Sequence, residues 1–110
     1  MSDVDERQEL IGFFHDELFT SARQAADIRS GMAEFAARWN YRLAKVFSAK
    51  PGAVPEAFEA LREAVRRDGS AVVVPNVDHL APYGDVYALV TELRELSGQH
   101  VMQSEPVVAP

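Results

Sequence analysis

The sequence predicts an α/β fold: a small single domain with a roughly four-stranded parallel sheet flanked by three helices. Two observations predict it. Short, β-rich apolar segments alternate with longer amphipathic ones in the order strand, helix, strand, helix, strand, helix, strand, and connections of helical length are what parallel neighbours require. At 110 residues, 47% hydrophobic and 25% charged, the chain also has the makeup of one ordinary globular domain with a real core.

Residues 1–8 are charged and polar and read as a flexible N-terminus. The α/β domain then spans 9–103, and 104–110, "SEPVVAP", reads as a flexible C-terminal tail. In "ELIGFFHDELF" the compact run Leu10 to Phe14 suits a strand buried on both faces. Helix remains the alternative there, because Leu10, Phe13, Phe14 and Leu18 also fit a helical stripe.

"SARQAADIRSGMAEFAARWN" reads as the first helix, with Ala25, Ile28, Met32, Phe35, Ala36 and Trp39 on one face. On this pattern Trp39 belongs to the core, and Ser30-Gly31 mark a kink or break. "YRLAKVFSA", 41–49, is the second strand. The second helix, "KPGAVPEAFEALREAVRRDGS", has Pro55 in its first turn and Arg66-Arg67 near its end. Val54, Phe58, Leu61 and Val65 form its buried stripe, and Gly69 stops it. "AVVVPN" is the third strand. "GDVYALVTELRELSG" is the third helix, turning Val86, Leu89, Val90, Leu93 and Leu96 inward, and "QHVMQ" is a last short strand.

Composition excludes several functions. Without cysteine there is no disulfide framework and no thiolate metal site or nucleophile. The acidic start "MSDVDERQEL" is unlike a signal peptide, and no apolar run approaches the roughly 20 residues of a membrane span. The expectation is a cytoplasmic protein with no membrane contact. Net charge is −6, and the nine arginines and two lysines are scattered apart from Arg66-Arg67. That balance argues against direct nucleic-acid binding, which draws most of its affinity from neutralised phosphates. Phosphate loops of the G-x-G-x-x-G and G-x-x-x-x-G-K-[ST] types are absent, and no serine sits in a nucleophile context.

A helix leading into "DGSAVVVPNVDHLAP", then a helix "LVTELRELSG" and a short strand, resembles the N-terminal catalytic domain of serine recombinases, the resolvase and invertase family. The resemblance extends back through "AFEALREAVRRDG", "MAEFAARWNYRLAKVF" and "LIGFF", covering residues 9–103. It implies that the first and third strands are neighbours. The family's first strand ends in Y-x-R-x-S, whose serine attacks DNA; here Phe13, His15 and Glu17 stand at those positions. In the D-R-L-x-R motif Asp78 keeps the aspartate, but His79 and Pro82 replace both arginines. A carboxylate at the nucleophile position repels phosphate, and a neutral histidine and a proline cannot stabilise the charge growing in phosphoryl transfer. The resemblance therefore implies a degenerate active site without recombinase activity.

What remains at the strand ends is His15, Asp16 and Glu17 after the first strand and Asp78 and His79 after the third. In open α/β sheets such ends form the ligand crevice. One reading makes these five residues a crevice for a divalent metal or an acid–base pair. The other makes them ordinary polar ends, with Asp78 closing the turn after Pro75-Asn76. No metal-ligand spacing such as H-E-x-x-H occurs, so no cofactor or metal is assigned.

The leading expectation is a catalytically inactive, recombinase-like domain kept as a protein-interaction or regulatory module, with a protein partner or a second copy bound at an exposed apolar helix surface. Two alternatives stand beside it: a small metal-dependent or acid–base enzyme using His15, Glu17, Asp78 and His79, and an accessory protein joining DNA-bound recombinases.

Overall fold

The computed structural model describes residues 7–16, 21–49 and 54–105. Four parallel strands, β1 (Gln8–His15), β2 (Tyr41–Ala49), β3 (Ala71–Val74) and β4 (Met102–Gln103), form one sheet in the order β2-β1-β3-β4. They alternate with α1 (Ala22–Arg38), α2 (Val54–Asp68) and α3 (Val86–Ser97). The fold is therefore α/β, and β1 and β3 are neighbours.

β1 is a strand because it is central. It has partners on both edges and helices on both faces, so every residue from Leu10 to His15 is buried. Its alternation splits the core in two. Leu10 and Phe14 join Met32, Ala36, Ala71 and Val73 on the α1 face. Ile11 and Phe13 join Phe58, Leu61, Val65, Val72, Leu89 and Leu93 under α2 and α3. Gly12 lies on the α1 face, where a Cβ would stand 2.7 Å from Met32 Sδ and 3.3 Å from Val46 Cγ2. Its missing side chain lets Met32 sit against the strand.

β2 is an edge strand, and the register with β1 jumps from Leu10–Leu43 to Ile11–Lys45, leaving Ala44 unmatched. That bulge, with Lys45 beside it, discourages pairing with a further strand. Arg42 forms an ion pair with Glu9 across the two strands.

The helix signals hold where their side chains are described. Gly69 and Gly98 take positive φ at the ends of α2 and α3, and their amides donate to Val65 and Arg94 carbonyls at 2.8 Å each. Phe58, Leu61 and Val65 are buried, whereas the Val54 side chain lies outside the described residues. In α3, Leu89 and Leu93 are buried, and Val86, Val90 and Leu96 only half-buried.

Several expectations are corrected. α1 runs unbroken through Ser30-Gly31. Trp39 is not core: it is 61% exposed, touching Phe35 with a 6.2 Å centroid separation. It is the C-cap of α1, level with the first strand pair Gln8–Tyr41, so the sheet has ended where the apolar stripe continues. β4 has two residues, not five. The chain remains tied to the sheet beyond it, Ser104 N–H donating to Val74 O at 2.9 Å and Glu105 N–H to Pro75 O at 3.0 Å.

Candidate functional site

At the carboxyl end of β3 the chain enters a 3-10 turn, Val77–Tyr83. Its cap is Asn76, whose side-chain oxygen accepts the Asp78 N–H at 3.0 Å while its amide donates to Glu105 at 2.9 Å. Asn76 thus does the capping expected of Asp78, whose own side chain faces solvent. The amide serves two partners at once, an acceptor for the turn and a donor to the segment after β4.

This turn folds His79 and Tyr83 over the end of β1. The backbone N–H of His15 donates to His79 Nδ1 at 3.0 Å. His15 Nδ1 and the Tyr83 hydroxyl are 2.9 Å apart. Both histidines are buried, at 1% and 2% exposure, so neither opens to a crevice. The Tyr83 ring stacks on Phe58, with centroids 5.1 Å apart and planes 21° apart, and meets Phe13 and His15 edge-on at 5.5 and 5.6 Å. Phe13 is core.

Because Nδ1 of His79 accepts an amide proton, the neutral ring carries its own proton on Nε2. Burial holds the His79 pKa below the usual histidine value, and His15 pushes the same way, against Glu105 and Asp78, which raise it.

Of the five residues expected to line a crevice, the structure brings together His15 and His79, but against each other and inside. Asp16 is half-buried and Asp78 exposed; Glu17 lies outside the described residues. No group of three histidine, aspartate or glutamate side chains among the described residues is placed to hold a metal ion. Sequence reasoning missed Tyr83, although its place nine residues after β3 in an aromatic-poor turn was the available signal.

An open concavity lies elsewhere. A groove of about 510 Å³ runs along α1, walled on its other side by Ser104 and Glu105. Gln24, Asp27, Ile28, Gly31, Glu34, Phe35 and Arg38 recur at helical spacing along it. Gly31 is at the middle of that stripe, and a Cβ built on it would meet nothing within 4 Å. An interior helix glycine is destabilising by roughly 0.5–1 kcal/mol relative to alanine, and no packing within the described chain requires it.

Comparison of the chain with protein-family models, with curated proteins and with solved structures gives no match.

Proposed function

We propose that this domain is a protein-interaction module, built on a recombinase-like α/β scaffold, whose strand-end pocket is closed by its own side chains and whose binding surface is the groove along α1. The observation that carries this reading is the interlock of His15, His79 and Tyr83. In an α/β enzyme the strand ends must admit a substrate and present a reacting group to it. Here the two imidazoles are buried and engaged with the backbone and with a phenol. A strand end closed by the domain's own side chains favours binding at another surface.

The exposed surface agrees with that role. The described residues contain no helix long and apolar enough to cross a membrane. The arginines of α2 are engaged locally, Arg62 with Glu59 and Glu92, Arg66 with Glu63, and Arg67 with Asp68, which leaves no free basic face there for phosphate.

The test is an affinity capture run in parallel on wild type, His79→Asn and Phe35→Arg, with partners identified by mass spectrometry. The reading expects one partner held by wild type and His79→Asn and lost by Phe35→Arg. A partner lost by His79→Asn and kept by Phe35→Arg would place the function at the strand ends instead.

A further inference from the structure

We infer that the α1 groove takes a cationic amphipathic helix from a different protein, crossing α1 over Gly31. This inference rests on the interaction-module reading and names the class of partner. Three observations carry it.

The first is charge. Asp27 and Glu34 on α1 and Glu105 opposite surround a floor containing Ile28 and Phe35, against one guanidinium, Arg38. Asp27 and Glu34 take no ion pair among the described residues, so both carboxylates remain available to a cationic partner. An apolar floor rimmed by unmatched carboxylates fits a segment with one apolar face and lysine or arginine flanks.

The second is Gly31. It is the centre of the lining stripe, and the domain's own packing gives no reason for it. A glycine there lets a second backbone approach α1 closely. The stripe runs the length of a helix of 17 residues, about 25 Å, so the surface suits an extended regular element rather than a small molecule.

The third weighs against a second copy as the occupant. The chain carries net charge −6, and of the two helices with three arginines each, α2 has Arg62, Arg66 and Arg67 already paired with its own carboxylates or with Glu92, while α1 carries Asp27 and Glu34 alongside Arg23, Arg29 and Arg38. A second α1 crossing at Gly31 would set its own Asp27 and Glu34 against the same two carboxylates.

The experiment uses the full chain and two fluorescein-labelled designed peptides as long as α1, each with one leucine face, the other face all lysine in one and all glutamate in the other. Anisotropy titrations on wild type should give binding of the lysine peptide about tenfold or more tighter than the glutamate peptide. The preference should shrink as salt rises. Asp27→Lys with Glu34→Lys should reverse it. Gly31→Leu should weaken the lysine peptide by about tenfold or more, while its unfolding midpoint stays at or above that of wild type, which separates lost docking from lost fold. Equal binding of both peptides, or a preference unmoved by the charge reversal, would overturn the cationic partner while leaving the groove as an interaction surface. A concentration-dependent dimer blocked by Gly31→Leu would replace the foreign partner with a second copy. Binding of neither peptide, with no dimer, would overturn this inference, and failure of the capture experiment as well would bring down the interaction reading itself.

Discussion

The backbone amide of His15 and the imidazole of His79, 64 residues apart in sequence, share a buried hydrogen bond of 3.0 Å. It joins the end of the central strand to the turn after β3, and so closes the place where this class of fold ordinarily receives a ligand. Its consequences for stability follow from which atom holds the proton.

Acid should loosen the domain through His79. Its folded pKa is depressed, chiefly by burial, below the roughly 6.5 of an unfolded histidine. Above pH ~6.5 both states are neutral and the contribution is intact. As pH falls through that value the unfolded chain takes the proton first, so stability is lost until the folded pKa is passed. For one such group the slope is at most about 1.4 kcal/mol per pH unit. Denaturant unfolding across this range should show a flatter profile for His79→Asn than for wild type. Identical profiles would mean His79 is not the buried neutral acceptor.

Removing the acceptor should cost more than changing it. His79→Phe leaves the buried His15 N–H without its bond, a loss of about 1–3 kcal/mol. His79→Asn offers an amide oxygen in place of Nδ1 and should lose less. Tyr83→Phe keeps the ring stack on Phe58 and deletes only the hydroxyl on His15, about 0.5–1.5 kcal/mol. Urea titration of the three variants gives the order directly.

Gly12→Ala should destabilise by about 1–3 kcal/mol, the usual cost of overpacking. The added methyl meets Met32 Sδ at 2.7 Å, the end of a flexible side chain, and Val46 Cγ2 at 3.3 Å. Met32→Val should recover part of the loss, so the double variant is more stable than the sum of the single effects. Strict additivity would show that the two residues do not compete for the same space.

Trp39→Ala should change stability by no more than about 0.5 kcal/mol, because the ring is 61% exposed. Leu93→Ala, at a fully buried position, should cost about 2–5 kcal/mol. Thermal melts of the pair check whether the core ends where the sheet does.

Alternation, glycine stops and the valine run of β3 were legible in the sequence because each is set by neighbours within a few residues. Trp39 was not. A helical stripe gives a side chain's angle around the axis, but not whether the sheet still lies beneath it. Asn76 and Asp78 compete for one cap, and only the path of the chain decides between them. The site was half legible: His15 and His79 could be placed at adjacent strand ends, but their burial depends on Tyr83 folding back over them. The α1 groove was illegible for a similar reason, since Glu105 reaches it from 67 residues beyond Arg38.

A ¹H–¹⁵N correlation spectrum of the labelled chain titrated with the lysine-faced peptide locates the binding surface residue by residue. Binding in the α1 groove should shift Ile28, Gly31, Phe35 and Ser104 and leave the amides of His15 and His79 unmoved. Shifts at His15, His79 and Tyr83 with α1 silent would contradict it, and would return the function to the strand ends.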